Sequence, residues 1–194
     1  MPDAEGDALA AAARLAWERC PGAPIVEVGS YCGRSTLWLG SVAVECEGTV
    51  VTVDHHRGSA ETQPGWEHHD PDVVDDRVGL MDTLPFLRTT LHDAGLEDHV
   101  IAVVGRSATV AAIWSTPAAM VFIDGGHGEE PAIADREGWV RHIAPGGLLA
   151  IHDVFPDPAD GGRPPYECIY PPVLASGEFT EVSATGSLRV LQRH

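Results

Sequence analysis

The chain has 194 residues, a formal net charge of −17, and 12 basic residues, every one of them Arg. That acidity repels phosphate backbones and anionic headgroups, so neither nucleic acid nor a membrane surface is expected as a partner. The absence of Lys excludes Schiff-base chemistry, a phosphate-loop lysine and a lysine base.

Taken in chain order, short apolar runs alternate with segments that suit helices. A helix is predicted over Asp7–Arg19, then a strand at Ala23–Val28, a helix at Ser35–Val44 and a strand at Thr49–Asp54. The stretch His55–Leu80 is polar, with four His residues, and breaks the rhythm. A helix at Thr83–Ala94, a strand at Val100–Val104 and a helix at Ala108–Trp114 follow. Next come a strand at Ala119–Asp124, a helix at Glu130–His142 and a strand at Gly147–His152. Phe155–Tyr170 carries four prolines and reads as a loop; Phe179–Ser183 and Ser187–Gln192 read as an antiparallel hairpin about Thr185-Gly186.

Strands that are apolar throughout suit burial on both faces of a parallel sheet. The expectation is one α/β domain over residues 1–194, doubly wound and Rossmann-like, with a mostly parallel seven-stranded sheet and a C-terminal antiparallel hairpin. Residues 55–82 and 155–170 follow strand carboxyl ends, where ligands bind in such sheets. They are either lids and acceptor walls or solvated insertions. Cys20, Cys32, Cys46 and Cys168 form no C-x-x-C pair and read as reduced thiols. With neither a basic start leading into an apolar stretch nor a run of ~18 apolar residues, a cytoplasmic protein is expected. A homodimer is compatible with the sequence.

The strongest local signal is Ile25-Val-Glu-Val-Gly-Ser-Tyr-Cys-Gly-Arg-Ser-Thr36. A strand runs into a glycine turn and then a helix. The spacing is G-x-x-x-G after an acid, not the G-x-G-x-x-G of a nicotinamide site. Taken alone, it could be no more than a tight turn. The next strand ends in Asp54, where an acid can accept both hydroxyls of a ribose. This segment resembles motif I of class I S-adenosylmethionine-dependent methyltransferases. The resemblance implies that Gly29 and Ser30 lie against the methionine part of S-adenosylmethionine, with Ser35 nearby, and that Glu27 reaches its ammonium. Gly105-Arg-Ser107 resembles the adenine-side segment, which adds Ser107.

Two more patches carry chemistry: Asp124-Gly-Gly-His127 and, after Pro145-Gly-Gly147, His152-Asp153. Together they resemble metal-dependent O-methyltransferases of the macrolide-sugar and cephalosporin-hydroxylase-like group. That resemblance implies a divalent metal, with Mg²⁺ the expected ion, on Asp124 and Asp153, and His127 as general base. Asp124 also belongs to the expected cofactor site. His152 departs from the group, which carries Glu there. It reads either as a nitrogen ligand, tilting selectivity towards manganese, iron or zinc, or as a buried imidazole bonded to backbone. Adjacent strand residues point to opposite faces, so His152 and Asp153 can share an ion only if the strand has already ended. His127 has its own alternative, that of holding the cofactor or a loop.

The chemistry is coherent. An alcohol holds its proton tightly at neutral pH; a cation favours the ionised oxygen and a neutral imidazole can take the proton. The expected acceptor is a hydroxyl of a sugar or glycosylated natural product, with the 1-OH of a methylated mannoside as one candidate. Catechol or phenol methylation is the competing enzyme reading, although only 6% of the residues are aromatic. A non-catalytic S-adenosylmethionine-binding domain is the third.

Overall fold

The computed structural model describes residues 1–59, 70–126 and 128–194. Its elements begin with helix α1 (Asp3–Arg19), strand β1 (Ile25–Val28), helix α2 (Arg34–Cys46) and strand β2 (Val50–Asp54). A short antiparallel pair follows, β3 (Val74–Asp75) with β4 (Leu80–Met81), then helix α3 (Leu84–Asp93) and strand β5 (Val100–Val104). Helix α4 (Ser107–Ile113), strand β6 (Ala118–Ile123), helix α5 (Glu129–Trp139) and strand β7 (Ile143–Ile151) continue the alternation. The chain closes with helix α6 (Tyr170–Ala175) and strands β8 (Phe179–Thr185) and β9 (Leu188–Arg193).

The main sheet has seven strands in the order β5-β2-β1-β6-β7-β9-β8. The first five are parallel, and the terminal hairpin joins β7 antiparallel through β9. This is the doubly wound Rossmann-like sheet that the alternating apolar runs predict. Successive strand residues feed opposite faces. Ile25, Val50, Met120, Phe122 and Leu148 pack with α1, α2 and α3. Val26, Val51, Val121, Ile123 and Leu149 pack with α4, α5 and the α6 region. β1 lies between β2 and β6, so the strand order reverses there. The crevice beyond the carboxyl ends of β1 and β6 is the switch point at which such sheets bind ligands.

Besides the β3–β4 pair inside the 55–82 stretch, the structure differs from the expectation in three places. Helix α1 starts at Asp3, four residues before the predicted Asp7, because the acids Asp3 and Glu5 in its first turn favour the helix dipole. Strand β7 starts at Ile143 and runs through the Pro145-Gly-Gly element, with a register shift against β6. Residues 155–170 are not all loop. Pro165–Ile169 form a π-helical turn that leads into α6, since Pro is well suited to a first helical turn and Ile169 and Val173 are buried. The cysteines are free thiols, and among the described residues no helix is long and apolar enough to cross a membrane.

Candidate active site

The glycine turn is built from its backbone outward. After β1, Gly29 adopts φ 91° and its N–H donates to Val53 O at 3.0 Å. A Cβ on Gly29 would lie 2.4 Å from the carbonyl oxygen of Asp124, so only glycine allows β1 and β6 to close together there. Tyr31 and Gly33 also have positive φ, 48° and 94°, and Gly33 opens α2. Asp54, at the end of β2, ties this turn down. Its Oδ2 accepts from Ser30 N at 3.1 Å and Tyr31 N at 3.0 Å, and its Oδ1 accepts from His56 N at 2.7 Å. A carboxylate has about four lone-pair sites, so Asp54 keeps acceptor capacity towards the crevice.

Glu27 is fully buried in the middle of β1. Its carboxylate accepts from the hydroxyls of Ser35 (2.6 Å) and Thr36 (2.7 Å) in the first turn of α2. Burial pushes its carboxyl up to about 7, partly offset by these hydroxyl bonds. Through these bonds Glu27 braces the first turn of α2 and holds Ser35. Ser30 Oγ, by contrast, is buried with no hydrogen-bond partner among the described residues. A buried hydroxyl without a partner beside a backbone turn fits a polar ligand that would complete it.

Ser107, at the start of α4, makes two hydrogen bonds within the protein. Its hydroxyl donates to Asp135 Oδ1 at 2.5 Å and accepts from Trp139 Nε1 at 2.7 Å. Asp135 is buried, and burial raises its carboxyl to about 6 against the Ser107 bond. Its Oδ2 lies 3.0 Å from where a Cβ on Gly125 would be, directly beneath the chain leaving β6. Trp139 is completely buried.

Asp124, His152 and Asp153 come together at the ends of β6 and β7. Each offers one ligand atom, and these atoms all lie within 4.8 Å of one another. His152 Nδ1 is 3.0 Å from Asp124 Oδ1 and 3.2 Å from Asp153 Oδ1. The condition set by strand geometry is met: β7 ends at Ile151, and Asp153 turns back in the left-handed region at φ 55°. That conformation is costly for a residue other than glycine, and such strain collects at functional sites. Burial would lower the His152 pKa, but the bonds and charges of Asp124 and Asp153 overcome it and raise the imidazole to about 10. Two carboxylates and one imidazole nitrogen at this spacing fit a divalent cation, which would take the place of the Nδ1 proton.

Three residues of this region were not among the candidates the sequence offered. Glu5, from the first turn of α1, places Oε2 2.8 Å from His152 Nε2. Its trace was an acid on the apolar stripe that continues through Leu9, Ala12 and Ala16. Asp135 is the second. The third is Thr83, whose hydroxyl lies 2.7 Å from His56 Nδ1. The expected base His127 and the loop residues His68 and His69 lie outside the described residues.

With this geometry in view, the chain matches the methyltransferase-domain family over residues 26–154, and it belongs to that family. The matched segment runs from β1 to just past Asp153. The fold is shared with several solved enzymes. One is the O-methyltransferase NovP, at 14% identity and TM-score 0.74 over 97% of this chain and 79% of that one. A second is TomG from Streptomyces achromogenes, an O-methyltransferase of tomaymycin synthesis solved with S-adenosylmethionine. It is 19% identical, with TM-score 0.66 over 100% and 81%. A third is CalS11, a TDP-rhamnose 3'-O-methyltransferase of calicheamicin biosynthesis, at 14% identity and TM-score 0.67 over 97% and 78%.

Proposed function

We propose that the protein is an S-adenosylmethionine-dependent O-methyltransferase that uses a divalent cation, Mg²⁺ as the expected ion, and acts on a hydroxyl of a sugar or sugar-bearing natural product. The observation that carries this reading is the place of Asp124. Its backbone packs against Gly29 of the glycine turn, while its carboxylate faces His152 and Asp153. One residue thus joins the glycine turn to the candidate metal ligands, which supports a sulfonium methyl and an acceptor oxygen meeting in one crevice.

In this reading Gly29 and Ser30 receive the methionine part, and Glu27, which holds Ser35 and the first turn of α2, is the acid for its ammonium. Asp54 accepts the ribose hydroxyls and Ser107 lies on the adenine side. Asp124, His152 and Asp153 would hold the cation, whose charge favours the ionised form of a hydroxyl oxygen. His127 takes the hydroxyl proton as a neutral imidazole, while the oxygen forms its bond to the methyl and the sulfonium leaves as S-adenosylhomocysteine. The sugar assignment draws support from the shared fold with a deoxysugar nucleotide methyltransferase. The test is transfer of labelled methyl to a panel of free sugars, methylated mannosides, nucleotide sugars and catechols, with and without chelator. Transfer to catechols alone would overturn the acceptor class, and transfer that survives exhaustive chelation would overturn the metal.

A further inference from the structure

Glu5 lies outside the segment that defines the family, yet it reaches the centre of the site. Its Oε2 is 2.8 Å from His152 Nε2, and both side chains are only 6% exposed. Its Oε1 accepts from Ser187 N at 2.5 Å and Ser187 Oγ at 3.0 Å, in the turn between β8 and β9. Gly186 beside it leaves no room for a side chain, since a Cβ there would meet Glu5 Oε1 at 2.2 Å. The carboxylate is therefore clamped on one oxygen and aimed with the other.

We propose that Glu5 is a positioning residue for the metal site: it accepts the Nε2–H of His152 and so presents Nδ1 to the cation alongside Asp124 and Asp153. The proposal rests on the metal reading above. An imidazole can offer only one of its nitrogens to an ion, and the bond made by the other decides which one and fixes the ring plane. Here the two nitrogens face different surroundings. Among the described residues Nε2 is paired with Glu5 of α1, whereas Nδ1 faces the two aspartates at the strand ends. A purely structural acid joining α1 to the hairpin would need only the Ser187 bonds. The second oxygen is spent on His152 instead. A carboxylate acceptor also makes the opposite nitrogen a better ligand.

The experiment is a Mn²⁺ titration followed by electron paramagnetic resonance on wild type, Glu5→Ala and Glu5→Gln, with melting curves and S-adenosylhomocysteine binding measured in parallel. Glu5→Ala should weaken Mn²⁺ binding by about 10–100-fold while S-adenosylhomocysteine binding holds. Glu5→Gln, whose amide oxygen can still accept from Nε2–H, should recover most of that loss. Equal Mn²⁺ affinity in wild type and Glu5→Ala overturns the proposal. A wild type that binds neither Mn²⁺ nor Mg²⁺ overturns the metal reading itself, and this inference with it. Should Glu5→Ala fail to fold, nitrogen-15 spectra of the wild-type histidines with Mg²⁺ decide, His152 being assigned by its absence in His152→Asn. A proton on Nε2 supports the proposal and a proton on Nδ1 refutes it.

Discussion

Gly29 and Asp124 touch through their backbones: a Cβ on Gly29 would sit 2.4 Å from Asp124 O and 2.8 Å from Gly125 Cα. The end of β1 and the end of β6 are thereby locked into one wall. Gly29→Ala must both occupy that space and hold φ 91°. It should lower unfolding free energy by about 2 kcal/mol or more and abolish S-adenosylhomocysteine binding by calorimetry. An alanine variant with wild-type affinity would show that the turn does not form the cofactor wall.

Removal of metal should act on turnover and leave cofactor binding intact. Chelator is expected to abolish methyl transfer, and added Mg²⁺ or Mn²⁺ to restore it. Asp153→Ala should mimic chelation and resist rescue at metal concentrations sufficient for the wild type. S-adenosylhomocysteine affinity of this variant, measured by calorimetry, should stay near normal, since Asp153 lies 3.2 Å from His152 within the candidate metal ligands.

His127→Ala should lower kcat by about 10²–10⁴ without weakening S-adenosylhomocysteine binding. Steady-state kinetics with saturating acceptor measures the first effect and calorimetry the second. A variant with near-normal kcat would mean that water takes the proton and that the cation alone suffices.

Glu27 imposes a pH dependence on stability. Burial raises its carboxyl from 4.5 to about 7, so between these values the folded protein keeps a proton that the unfolded chain has released. Stability must then fall as pH rises through that window, by about 3 kcal/mol from this group alone. Glu27→Gln does not titrate. Its unfolding free energy, measured in urea at pH 5 and pH 7, should gain on the wild type at the higher pH. A difference between the two proteins that is the same at both pH values would overturn the assignment of this titration to Glu27.

The local signals in the sequence were backbone signals. Apolar runs such as Val50–Val53 and Ala118–Ile123 demand burial on both faces, and this alone implies a parallel sheet with helices on each side. Gly29 and Gly33 were legible because a turn between strand and helix needs positive φ, and Asp54 because an acid ends the next strand. Asp124 and Asp153 stood out through the resemblance to metal-dependent O-methyltransferases, Asp124 also as an acid at a strand end. What the sequence could not contain was the set of partners that meet only when distant segments pack. Glu5 and His152 are 147 residues apart, and Ser107 and Asp135 are 28 apart on different helices. Whether His152 and Asp153 could share one site depended on where β7 stopped and on Asp153 entering the left-handed region at φ 55°. Periodicity carries the burial of a face, which is a one-dimensional property of the chain. The aim of a buried polar side chain is set by which neighbours the fold brings to it, and that only the packed structure decides.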